Sequence, residues 1–109
     1  HTAPVAIRYV APSNAYASPQ YQQETVMFEM LMAKGTRGGP AALSLIEEAM
    51  LDVPGVRVHW GLNMDRMTKD NCDLAKMYPK WPQWMKTFRR FNRHGTFQNK
   101  FTRRLGLSR

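Results

Sequence analysis

Acidic residues are missing from the last thirty positions of this chain, phosphate-binding glycine loops are missing throughout, and cysteine occurs once. The lone Cys72 excludes an internal disulfide, a cysteine-based zinc site and a cysteine protease, and reads either as a small hydrophobe or as an intermolecular thiol. No group of residues has metal-ligand spacing. No apolar run approaches the roughly 20 residues that cross a bilayer as a helix. Neither Gly-x-Gly-x-x-Gly nor a P-loop occurs, so the chain is not expected to hold a dinucleotide pyrophosphate by itself at a helix terminus. The chain opens at His1 with no visible signal-peptide pattern.

What remains is a folded composition. The 109 residues are 43% hydrophobic and 22% charged, with three Trp, four Tyr and five Phe, which excludes intrinsic disorder and suits one small core. The net charge of +8 is unevenly placed: residues 1–79 hold seven Lys/Arg against eight Asp/Glu, and residues 80–109 hold nine Lys/Arg and no acid. Trp81, Trp84, Phe88, Phe91, Phe97 and Phe101 interleave with those cations. That pattern reads either as a nucleic-acid or anionic-membrane surface or as an amphipathic helix with its aromatics inward and its cations solvated. Helical spacing of the aromatics favours the second reading, and nucleic acid is disfavoured.

Along the chain, Pro4 to Val10 alternates as a strand, and residues 11–19 are rich in turn formers. Thr25 to Met32 reads as a second strand, apolar on both faces apart from Glu29 and so expected to be central and buried. Three glycines loosen Lys34 to Pro40. Pro40 then opens a helix to about Leu51, with Leu43, Ile46 and Met50 on one face. Val56 to Trp60 reads as a third strand. Thr68 is the expected N-cap of a short helix to Met77, and Trp81 to Arg93 the last helix, closed near Gly95. The expected fold class is α+β, a small mixed or antiparallel sheet with packed helices. So thin a sheet should need another chain or domain to complete it.

Three spaced pieces stand out: His59-Trp60-Gly61, Met77-Tyr78-Pro79 and Gly95-Thr96-Phe97-Gln98-Asn99. Pro4-Val5-Ala6-Ile7-Arg8, followed by Ala17-Ser18-Pro19, precedes them. Their order resembles the closing segment of the sugar and aldonolactone oxidases (alditol- and gulonolactone-oxidase-like), FAD enzymes of the vanillyl-alcohol-oxidase type. Members typically show Pro-Val-Glu-Val-Arg, then Leu-Ser-Pro, then His-Trp-(Gly/Ala)-Lys, Tyr-Pro, and Asp-Pro-x-Gly-x-Phe-x-Asn near the end. The likeness runs from the strand at residue 4 to Leu107. It departs at Ala6, where the family has a pocket Glu, at Leu62, where it has Lys, and at Asn92-Arg93, which replaces Asp-Pro.

The resemblance implies a C-terminal portion of a flavin-dependent oxidase or dehydrogenase acting on the CH–OH group of an alcohol, polyol or lactone. Residues 1–60 would form part of a substrate (cap) domain. Residues 61–109 would be a helical tail returning to an FAD domain, supplied as an N-terminal chain or domain that binds most of the cofactor. Arg8 then corresponds to the pocket arginine, steadying an alkoxide or reduced flavin. His59 and Trp60 lie near the flavin ring, His59 as base or hydrogen-bond donor, against the plainer reading of a half-buried His packed on Trp60. Asn99 is a candidate for the cofactor's ribityl or phosphate region. Ala6, Leu62, Asn63 and Tyr78 are candidate pocket residues, Asn63 as a partial substitute for the lost Lys and Tyr78 as a hydroxyl or simply a packing residue. Ala6 and Leu62 imply a more apolar pocket than a polyol needs. Two rivals remain: a small basic nucleic-acid-binding module, and a non-catalytic oxidase-like subunit.

Overall fold

A computed structural model describes residues 5–107, so Pro4, the expected start of the first strand, lies outside them. Strand β1 (Val5–Val10) pairs antiparallel with β2 (Thr25–Met30). Helices α1 (Gly39–Leu51), α2 (Leu74–Met77), α3 (Trp81–Phe91) and α4 (Lys100–Arg104) follow. The α+β class holds, with a two-stranded antiparallel sheet.

The register places Val5 opposite Met30, Ile7 opposite Phe28 and Tyr9 opposite Val26, so one face of the hairpin is entirely apolar. The other face pairs Ala6 with Glu29, Arg8 with Met27 and Val10 with Thr25. The expectation of a buried central strand fails here. β2 stops at Met30 with β1 as its one partner among the described residues, and its Val26 and Phe28 are exposed because no described helix packs over that face.

The expected third strand, Val56 to Trp60, joins no sheet among the described residues and runs into a turn at Trp60. Side chains anchor it instead of a ladder. Arg57 donates from Nε to the Met77 carbonyl at 2.8 Å and from Nη1 to those of Pro19 and Tyr21 at 3.1 and 3.3 Å. The Trp60 indole N–H donates to the Ala17 carbonyl at 2.8 Å.

The expected helix start at Thr68 moves to Asp73. The Asn71 side-chain oxygen accepts the Thr68 N–H at 2.8 Å while its amide reaches the Arg66 carbonyl at 2.7 Å, which holds a turn there. Asp73 Oδ1 then takes the N–H groups of Ala75 and Lys76 and leaves α2 a single turn. Helix α3 ends at Phe91, short of Arg93, and Gly95 follows at φ 74°. Helix α4 was not anticipated; Asn99 and Thr102 form its capping box.

The core lies in the C-terminal half. Met64, Met67, Leu74, Tyr78, Trp81, Met85, Leu105 and Leu107 are buried together, with Leu51 of α1, Val58 and Trp60 against them. Helix α1 is tied on by Glu47, whose carboxylate accepts the Arg66 N–H at 2.8 Å.

Candidate functional site

The spaced motifs converge, and what joins them is packing. Trp60 lies 5.3 Å from Tyr78 and stacks 5.9 Å from Trp81 at 7°, Trp81 stacks on Trp84 at 4.7 Å, and Trp84 on Phe88 at 5.3 Å. Phe97 continues the ladder at 6.4 Å from Phe88. The aromatics between the C-terminal cations are therefore largely turned toward one another, although Phe91 and Phe97 stay exposed.

Arg57, absent from the candidate residues, organises this convergence. It gathers the backbone of the Ala17-Ser18-Pro19 loop and of Met77-Tyr78-Pro79, and its guanidinium sits 5.4 Å from the Tyr78 ring centre. The only signal in the sequence was an arginine inside an otherwise apolar segment, which alternation assigns to a solvent face.

Tyr78 has 0% exposure, and its hydroxyl has no well-formed hydrogen bond among the described residues. Burial pushes its ionisation up to about 12, against the pull of the Arg57 cation and a weak, poorly aligned contact with the Val58 backbone. Cys72 is half-buried against the same core. Burial, chiefly, raises its thiol above the ordinary range, so it is a weak nucleophile.

His59 projects into solvent at the end of the Arg57 segment. Its Nδ1 accepts the Gly61 N–H at 3.1 Å. In the neutral ring this bond assigns the proton to Nε2, so the outward edge donates and does not accept. Of the two chemical roles for His59, this geometry suits the donor. Leu62 and Asn63 follow it, both exposed. Asn99 is exposed, and its side-chain oxygen is engaged at 2.9 Å by the Thr102 N–H. Its amide end takes no part in that cap.

Ala6 and Arg8 share one face of the hairpin, the face that carries Glu29. An Arg8 terminal nitrogen meets Glu29 Oε2 at 2.6 Å across the strands. No described hydrogen bond, ion pair or ring contact joins Arg8 to His59. Within the described residues the candidates thus fall into two groups, a hairpin pair and a set around the 57–63 segment.

The fold is an α+β arrangement of a two-stranded antiparallel hairpin and a packed aromatic core, with His59 exposed. A family model described as D-arabinono-1,4-lactone oxidase matches residues 1–105, and the chain belongs to that family. It is 28% identical over 102 residues to L-gulono-1,4-lactone dehydrogenase of Mycobacterium tuberculosis, in both the CDC 1551 / Oshkosh and the ATCC 25618 / H37Rv strains. That match covers 94% of this chain and 23% of the relatives' own length. No solved structure matches the chain significantly.

Proposed function

We propose that this chain is the C-terminal portion of a flavin-dependent oxidoreductase that oxidises a CH–OH group of a lactone, polyol or other alcohol. The family match over residues 1–105 is the observation that carries this reading. The mycobacterial relatives are lactone dehydrogenases by name, and a lactone such as L-gulono-1,4-lactone is the first substrate to try.

The surface supports a larger whole. The chain exposes 8011 Å², whereas a compact monomer of its mass exposes about 6,200 Å². Its radius of gyration of 15.3 Å exceeds the roughly 13 Å of a compact domain this size. The apolar hairpin face accounts for part of the excess: Val5, Ile7, Tyr9, Val26 and Phe28 are all exposed. By this reading an N-terminal chain or domain covers that face and holds most of the FAD, residues 1–60 belong to the substrate domain, and residues 61–109 return to the FAD domain.

The residues present fit one side of a flavin. His59 offers a donor edge, and the Asn99 amide, held by its cap, is a second polar contact; neither is a pyrophosphate cradle. FAD, when bound, accepts the hydride from the carbinol carbon. Arg8 donates hydrogen bonds to the carbinol oxygen as it gains negative charge. His59, with its proton on Nε2, donates a hydrogen bond there, and the hydroxyl proton passes to solvent water as the hydride leaves. The exposed Leu62 narrows the polar part of the pocket.

The test is Arg8→Gln and His59→Ala in the full flavoprotein, assayed with L-gulono-1,4-lactone and an artificial electron acceptor. Removing the Arg8 donor should lower kcat/KM by about 10²–10³ with the flavin spectrum retained. Unchanged turnover in both variants would defeat the assignment.

A further inference from the structure

The Arg8–Glu29 pair is an odd stability device. Arg8's side chain is 67% exposed and Glu29's 28%, and such surface pairs contribute only about 0–1 kcal/mol. The register explains how it forms. Glu29 stands directly opposite Ala6, and Arg8 lies two residues along on the same face. A methyl at position 6 leaves the space over that face open, so the Glu29 side chain leans diagonally to the guanidinium and reaches 2.6 Å. A larger residue at 6 would fill the path.

The consequence is a change in what Arg8 recognises. A lone guanidinium is a fork for carboxylates and takes them bidentately. With one terminal nitrogen bonded to Glu29, part of the guanidinium's donor set is taken and its charge is matched locally. The remaining N–H groups can still donate to a neutral oxygen, and the second Glu29 oxygen can accept from a hydroxyl. An incoming carboxylate meets like charge instead. Met27, the in-register neighbour of Arg8, and Gln20, whose amide reaches the Met27 sulfur at 3.4 Å, add no cation to offset it.

We infer that Glu29, paired with Arg8 across from Ala6, is a specificity-determining residue that makes this site accept neutral hydroxyl-bearing substrates and reject their carboxylate forms. This rests on Arg8 lying in the substrate site. A lactone and its hydrolysed acid are the natural pair to tell apart, since they differ by one water and one charge.

The experiment measures equilibrium binding of L-gulono-1,4-lactone and of L-gulonate to the full flavoprotein. Wild type should bind the lactone at least tenfold more tightly than the acid. In Glu29→Gln the acid should bind at least tenfold more tightly than it does to wild type, and the lactone no better. Adding Ala6→Glu to that variant returns a carboxylate to the same face beside Arg8, and should restore rejection of the acid. A structural role alone would move both ligands together and would not be rescued from position 6. If Glu29→Gln changes neither affinity while Arg8→Gln weakens the lactone, the inference is wrong and the functional reading stands. If Arg8→Gln also changes nothing, both fall.

Discussion

The two ends of this molecule are built on opposite terms. In the C-terminal half, Met64, Met67, Tyr78 and Trp81 are buried against one another, and side chains reach across to fasten distant backbone. In the hairpin, six apolar residues line one face and most of them meet solvent. The first region holds itself together. The second leaves an apolar face open to solvent and a cross-strand Arg8–Glu29 pair on the other, the two features on which the proposed partner and substrate contacts rest. The motifs that look most like a site in the sequence mostly serve the first region, while the plain strand carries Arg8, the arginine proposed to meet substrate.

Substitutions separate these roles, and the largest effect belongs to the core. Tyr78→Ala removes a fully buried ring from the ladder and should destabilise the chain by about 3–5 kcal/mol in a denaturant titration. The matched change in the hairpin, Phe28→Ala at 53% exposure, should cost less than about 1 kcal/mol in this chain alone. In the full flavoprotein the proposed covering partner should raise that cost several-fold by burying the ring. Equal costs in both contexts would break the comparison.

Arg57→Leu comes next. It strands three carbonyls and should cost about 2–4 kcal/mol by the same titration, with Arg57→Lys recovering only part, since an ammonium cannot reproduce the planar fork. Asn99→Ser keeps a capping oxygen and deletes the amide, so stability should change by less than about 0.5 kcal/mol. Weaker flavin retention in that variant would mark the amide as a cofactor contact.

The last effect is absent at neutral pH and concerns alkali. Tyr78 ionises at about 12 when folded, above the unfolded value of 10.0. The folded state therefore holds its proton more tightly. The resulting stability is complete below pH 10 and is lost as pH rises toward 12. Tyr78→Phe should flatten that alkaline decline while leaving neutral-pH stability nearly unchanged, because the hydroxyl makes no well-formed hydrogen bond. Alkaline melting curves of the two proteins check it.

Much of this was legible beforehand. Alternation from Val5 to Val10 and aromatic spacing in α3 reflect local periodicity, which a sequence displays directly. Val56 to Trp60 has the same alternation as a strand, yet its side chains bond four carbonyls distant in sequence, and pattern carries no record of them. The expected burial of β2 failed for a related reason: a mostly apolar strand looks alike whether or not the same chain covers it. The shift of the α2 start from Thr68 to Asp73 turned on one Asn71 side chain competing for a backbone N–H. Arg8 was legible as a candidate through resemblance, but Glu29 was not, because a cross-strand pair depends on register.

The most direct measurement is an intact-mass and visible-absorption analysis of the native protein that contains this sequence. The account predicts a larger polypeptide, or a second chain co-purifying with this one, carrying the two-banded absorption of an oxidised flavin that bleaches on adding a lactone substrate. A colourless protein of 12.6 kDa with no flavin-bearing partner would contradict it.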